Sequence, residues 1–255
     1  MHKKFRLTMV ALYCFVVAGF GLSGCTTPDV STVAASNDYY EKINRKIHWF
    51  NKSFDRAVLR PVSRGYAAAV PKEARIIVSN FSENLSLPGL VVNNLLQGDV
   101  STAGHNTARF AVNSTVGFVG LFDPSTDLGL AEAHTDFGQT LHVWKVPQGA
   151  YLELPFFGPS SERAAVGTLV DFFTNPLGNL LNRQQQMYRN GALVASVLDK
   201  RDQYDSTIDS VLYESADSYK QSRLIYLQNR NFELGESDQT EYDDPYFDPY
   251  GDAYD

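Results

Sequence analysis

The longest uninterrupted apolar run beyond the N-terminal segment is Val116–Phe122, set within Arg109–Asp123 (RFAVNSTVGFVGLFD). At about 1.5 Å per helical residue, a hydrocarbon core of about 30 Å needs about 20 apolar residues, so this run cannot cross a bilayer. Asn113, Ser114 and Thr115 precede it, Gly117 and Gly120 lie inside it, and Asp123-Pro124 stops it. The small residues allow close backbone approach, and the polar ones need hydrogen-bond partners. The stretch therefore suits a short helix or hairpin in a lipid-like environment or along a cavity wall, with an ordinary core helix as the alternative.

The N-terminus places the chain in a cell envelope. Lys3, Lys4 and Arg6 form a basic region, Leu7–Leu22 an apolar one, and Leu22-Ser23-Gly24-Cys25 closes it. This is the layout of a bacterial lipoprotein signal (residues 1–24), with Cys25 as the acylated residue. Several acyl chains, at about 0.8 kcal/mol per buried CH₂, make a durable anchor where one does not. Thr26 in place of an Asp points to the outer membrane. Cys14 and Cys25 are the only cysteines, so acylation of Cys25 leaves no thiol for a disulfide, a metal or a nucleophile. Residues 25–37 are small and polar, a tether.

Charge is distributed unevenly. Residues 38–75 carry nine Lys/Arg against four Asp/Glu, in a chain whose formal charge is −7. Lys52, Arg56 and Arg60 stack at four-residue steps, and with Arg45 they are candidates for facing anionic lipid headgroups. The segment 235–255 holds acids, tyrosines and two Asp/Pro pairs without a base, and reads as a disordered acidic tail. What remains is nearly neutral, with no electrostatic footprint for nucleic acid.

Between tether and tail the periodicity is helical. Ile43, Ile47, Phe50, Phe54 and Val58 mark a first helix that Pro61 is expected to end. Further helices are expected from Val70-Pro71 to Leu85 and over Ser86–Gln97, both rich in Asn, and a longer one over Val100–Phe118. Asp136–Trp144 and Glu162–Phe173 are shorter candidates, with an extended segment at Tyr151–Phe157. The longest helix is expected last, from about Arg183 past Tyr219 to Leu227. The class is mainly α.

Catalytic motifs are absent from the sequence. There is no Gly-x-Ser-x-Gly elbow, HExxH, phosphate loop or dinucleotide fingerprint. His134, Asp136 and His142 come nearest to a metal or acid–base cluster. No enzyme activity and no cofactor are expected.

The motifs Glu41-x-x-x-Arg45, Arg60-Pro61-Val62, Ser79-Asn80-Phe81-x-x-Asn84-Leu85, Leu96-Gln97-Gly98-Asp99, Gly117…Gly120-Leu121-Phe122-Asp123, Phe137-Gly138-x-Thr140-Leu141 and Ser215-x-Asp217-x-Tyr219 run in order through residues 41–230. In these the chain resembles the VacJ/MlaA family of outer-membrane phospholipid-transport lipoproteins. The resemblance implies one ring-shaped helical domain (38–234) embedded in the inner leaflet of the outer membrane. It also implies an amphipathic channel that removes mislocalised phospholipid from the outer leaflet. Trimeric porins, and a periplasmic phospholipid carrier serving an ABC transporter, are the implied partners. Candidate channel residues are Asn80, Phe81, Asn93, Asn113, Gly117, Phe118 and Gly120, whose Asn side chains offer neutral hydrogen bonds to headgroups. A porin-associated scaffold that moves no lipid, and a soluble binding protein on a tether, are the competing classes.

Overall fold

The computed structural model describes residues 38–236; the signal 1–24, Cys25, the tether 25–37 and the tail from 237 onward lie outside the described residues. The described chain is helical apart from one hairpin.

Helix α1 (Glu41–Phe54) does not stop before Pro61. It passes through a π-helical turn, Asp55–Leu59, into α2 (Arg60–Ala69). Proline lacks an N–H and clashes with the carbonyl four residues back. The wider turn relieves this, since Arg60 N–H reaches back five residues to Asp55 O. α2 ends at Val70-Pro71, where the extended conformation favoured before proline takes over. Next, α3 runs unbroken from Lys72 to Leu96 with Pro88 inside it, so the two helices expected here are one, and the longest of the described residues. Its buried stripe is Asn84, Leu87, Leu90, Asn93 and Asn94. Packing of that stripe between α4 (Val100–Thr115) and a later helix overrides the break that Pro88 invites.

Asp99 caps α4 by accepting from Thr102 N–H. Short α5 (Pro124–Asp127) and α6 (Phe137–Val143) follow, capped in the same manner by Asp123 and Asp136. β1 (Tyr151–Leu154) and β2 (Gly158–Ser161) form an antiparallel hairpin, pairing Tyr151 with Ser161 and Leu154 with Gly158. β2 leads directly into α7 (Glu162–Thr174), which Ser161 caps. Asn44 and Asn51 on α1 clasp the hairpin, with Asn44 Nδ2 donating to Tyr151 O and Asn51 Nδ2 to Leu154 O, both at 3.0 Å.

After α8 (Leu177–Leu180), an Asn182/Gln185 capping box starts α9 (Arg183–Gln203). The single last helix expected from Arg183 is interrupted at Tyr204. It continues as α10 (Asp205–Asp209) and a π turn (Ser210–Glu214), breaks again at Ser215–Asp217, and resumes as α11 (Ser218–Glu233). α3 packs on α4 and α9, α9 on α2, and α6 on α7.

The distribution of polarity is inverted. The buried apolar side chains are Leu87, Leu90, Ala103, Tyr151, Ala192 and Tyr219. Buried polar groups outnumber them and include Asn44, Asn84, Asn93, Asn94, Asn106, Asn113, Arg109, Arg163, Arg201 and Arg230. Large apolar side chains face outward instead: Trp49 is 70% exposed, Phe157 and Phe172 are each 76% exposed, and Leu95, Leu96, Val194 and Phe232 are also open. In water that surface would be costly at about 25 cal/mol per Å². Among the described residues, no helix is long and apolar enough to cross a membrane.

Candidate functional site

The buried stripes of α3 and α4 meet along a polar seam. At the end of the seam nearest the Val116–Phe122 run lies a narrow cleft lined by Asn80, Glu83, Asn84, Leu87, Arg109, Asn113, Asp123 and Glu132. Its volume of about 10 Å³ is room for about one water. Two expected channel residues, Asn80 and Asn113, line it. The neutral lining expected from the sequence is incomplete, since Arg109, Asp123, Glu83 and Glu132 add charge.

Asp123 organises this end. Its carboxylate accepts from Asn113 Nδ2 (2.8 Å), Arg109 Nη2 (3.3 Å) and the hydroxyls of Ser125 and Thr126. Asn113 Oδ1 accepts in turn from Ser125 N–H (3.1 Å). Burial pushes the Asp123 carboxyl up, but these donors and Arg109 outweigh it and hold the group well below the usual carboxylate range. A depressed folded value contributes stability above the unfolded value of about 3.9, which is lost as pH falls toward the folded one. Thermal unfolding followed from pH 6 to pH 3 is therefore expected to show stability falling below about pH 5, with a shallower fall in Asp123→Asn. Equal slopes would mean that Asp123 anchors nothing.

The apolar run is neither a continuation of α4 nor a core helix. α4 stops at Thr115 and residues 116–122 fold into a tight loop. Gly120 N–H donates to Asn113 O (2.8 Å), Val119 N–H to Ser114 O (3.0 Å) and Phe122 N–H to Gly117 O (2.9 Å). Phe118 and Val119 sit at φ of 51° and 62°, a left-handed conformation that costs side-chain-bearing residues about 1–2 kcal/mol each. That strain is tied to display: Val116, Phe118, Val119 and Phe122 all point outward, Phe118 at 69% exposure. The glycines permit it. Gly120 has φ +86°, and a Cβ there would lie 2.4–2.6 Å from the Asn84 side chain. One on Gly117 would lie 2.4 Å from Phe122 O. Asn80 Nδ2 donates to Leu121 O (3.3 Å), and Asn84 Nδ2 to Ser114 Oγ (3.2 Å), so α3 carries both the cleft and the loop.

The structure brings Asn80, Asn113, Gly117, Phe118 and Gly120 together. Phe81 is half-buried on the same stretch of α3. Asn93 lies apart, three turns further along. Its Nδ2 donates to Asp171 (2.8 Å) and its Oδ1 accepts from Thr140 Oγ1 (3.2 Å), which ties α3 to α6 and α7.

The four basic candidates are largely committed inside the protein. Arg45 pairs with Glu41 (2.7 Å) and Asp217 (2.9 Å), and its pull on Asp217 lowers that carboxyl to about 2. Arg60 pairs with Asp209, and Lys52 Nζ donates to Ser218 Oγ (3.3 Å). Arg56 stays exposed, with its guanidinium 4.8 Å from the Tyr213 ring centre. Part of the Lys/Arg excess over 38–75 is met by later acids, Arg64 pairing with Asp205 (2.7 Å) and Arg75 with Asp199 and Asp202; in the reverse sense, Arg201 of α9 pairs with Asp55.

Among the described residues, His134, Asp136 and His142 do not form a group that could hold a metal ion. Burial would raise Asp136, but two bonds from Arg230 (2.7 and 2.8 Å) overcome this and hold it low. His142 lies 3.5 Å from Glu236, and burial together with Arg163 lowers its pKa.

The chain matches the family described as MlaA lipoprotein over residues 36–233. It is 31% identical to a protein of Escherichia coli named intermembrane phospholipid transport system lipoprotein MlaA, covering 90% of this chain and 88% of that one. It is 33% identical to an uncharacterised protein of Rickettsia bellii, covering 76% and 75% respectively. A solved structure described as the structural basis for maintenance of bacterial outer membrane lipid asymmetry shares the fold, with a TM-score of 0.68 and 31% identity. It is matched over its whole length and over 78% of this chain. Sequence and helical architecture thus agree, and the chain belongs to the MlaA lipoprotein family.

Proposed function

We propose that this protein withdraws mislocalised phospholipid from the outer leaflet of the outer membrane and passes it to a periplasmic carrier, so maintaining lipid asymmetry. The observation that carries this reading is the inversion of polarity: many large apolar side chains stand on the exterior, around an interior rich in Asn and Arg. Such a body is at home within one leaflet, where lipid tails cover its outer faces. The polar seam then offers headgroups a path of hydrogen bonds. Because the cleft is closed to water size, passage of a headgroup requires residues 116–122 to move, and Gly117 and Gly120 are the points where the backbone yields. Acylation at Cys25 would hold the chain to the inner leaflet, with a trimeric porin beside it. The names of its relatives support the lipid class and the transport role.

The test is phospholipid extraction from detergent-purified protein, beside outer-leaflet phospholipid labelling in a strain lacking it. Bound phospholipid and a several-fold rise in surface phospholipid are expected. Neither signal, with a porin still co-purifying, would leave a scaffold that moves no lipid.

A further inference from the structure

A second polar centre lies where α1, the hairpin and the start of α11 meet. His48 Nδ1 is 3.2 Å from Glu153 Oε1, and His48 Nε2 is 3.0 Å from Ser218 Oγ. Glu153 is itself held in place: Tyr151 Oη donates to Oε2 (2.6 Å) and Asn51 Nδ2 to Oε1 (3.3 Å). One assignment of protons satisfies the whole chain. Lys52 Nζ donates to Ser218 Oγ (3.3 Å), Ser218 O–H donates to His48 Nε2, and His48 Nδ1–H donates to Glu153. His48 and Glu153 are buried at 6% and 3% exposure, whereas Ser218 is half-exposed. A hydroxyl that reaches solvent, a buried imidazole and an orienting carboxylate are the parts of a nucleophilic serine site.

The surroundings supply the remaining parts. Ser218 and Tyr219 open α11, so their N–H groups have no intrahelical acceptor. Asp217, which caps the helix, takes the N–H of Lys220. The Ser218 N–H, free of an intrahelical acceptor, and the Lys52 ammonium, 3.3 Å from Ser218 Oγ, are the donors available to an oxyanion. Lys52 is the cation beside Ser218, since Arg45 is taken up by Glu41 and neighbouring Asp217.

We propose that Ser218, His48 and Glu153 form an acyl-ester hydrolase site whose substrate class is the ester of an anionic lipid. The substrate class rests on the phospholipid reading above; the serine chemistry does not. Ser218 Oγ attacks the ester carbonyl carbon while its proton passes to His48 Nε2. The tetrahedral intermediate expels the lysolipid alkoxide, which takes that proton from His48. Water, deprotonated by His48, then attacks the Ser218 acyl ester and releases the fatty acid, and the proton returns to Ser218. The net change is ester plus water to acid plus alcohol, with no other reactant. Ser218 and His48 are the catalytic residues; Glu153 positions His48.

The test uses full-length, detergent-solubilised protein. It is treated with a fluorophosphonate probe, located by peptide mass spectrometry, and assayed for fatty-acid release from phosphatidylglycerol in mixed micelles. Labelling at Ser218 is expected, with fatty-acid release reduced at least about 10³-fold in Ser218→Ala. Ser218→Ala should keep its far-ultraviolet circular dichroism. Glu153→Gln, which retains an acceptor for His48, should slow Ser218 labelling at unchanged bound lipid. Wild-type protein with no probe on Ser218 and no release above Ser218→Ala would overturn the proposal. If Ser218 is labelled and a small soluble ester is cleaved while phospholipid neither binds nor is hydrolysed, the transport reading and the lipid substrate class fail together, and the serine site stands.

Discussion

Replacing Gly120 by valine is expected to raise outer-leaflet phospholipid to near the level of a strain lacking the protein, with protein abundance close to normal. At φ +86° a β-branched residue carries about 1–3 kcal/mol of backbone strain. Its Cβ would also press on the Asn84 side chain at 2.4–2.6 Å, and overpacking adds typically 1–3 kcal/mol. Asn84 is buried at the N-terminal end of the α3 stripe, and its Nδ2 holds Ser114. The damage therefore stays at the loop and the cleft, away from the α2–α9 and α6–α7 packing. Gly120→Ala introduces the same overlap without β-branching and should give an intermediate phenotype. Surface labelling with immunoblotting reads both quantities. Normal asymmetry in Gly120→Val at normal abundance would remove the loop from the transport path.

Arg201→Ala is expected to be the most destabilising single change outside the cleft. The Arg201 side chain is 3% exposed, bonded to both oxygens of Asp55 (2.8 and 2.9 Å) and to Asp205 and Asp209 (2.8 Å each). Removing it leaves Asp55 buried and unpaired in the π turn that precedes Pro61, with Asp205 and Asp209 close by. Breaking a buried pair in this way costs about 3–5 kcal/mol. At about 2–4 °C per kcal/mol for a domain of this size, that is a fall of roughly 6–20 °C in the unfolding midpoint. Tyr213, whose hydroxyl donates to Asp55 (2.7 Å) and whose pKa burial and Asp55 push up to about 12, loses its setting as well. Differential scanning fluorimetry in detergent measures this. A shift under about 2 °C would mean the network is solvated and carries little of the fold.

Much of this was legible in the sequence because it is local. Helical spacing located α1, α4, α6, α7 and α9, and Asp99, Asp136 and Ser161 mark their starts by ordinary capping chemistry. The Asn residues of the helices were legible as neutral hydrogen-bonding groups, but not that they would form the buried interior. The proline rules misled where packing or a π turn absorbed the break, at Pro61 and Pro88. The clustering of Lys/Arg over 38–75 was visible, but its partners were not. The acids that neutralise Arg60, Arg64 and Arg75 lie more than a hundred residues later, and no periodicity joins them. His48, Glu153 and Ser218 are hidden for the same reason, on three elements that only the fold brings together. The loop at 116–122 was read as an apolar run; its left-handed Phe118 and Val119 belong to the tertiary structure alone.

The central claim is that the polar cleft between α3 and α4 is where phospholipid passes. A photocrosslinking amino acid placed at Asn80, with a second variant at Asn93, tests this most directly. Both positions are polar and on α3, but Asn80 lines the cleft and Asn93 is bonded into the α6–α7 packing. After irradiation in cells, mass spectrometry of the purified protein is expected to find a phospholipid adduct at position 80 and none at position 93. No adduct at 80, or equal adducts at both, would contradict the account.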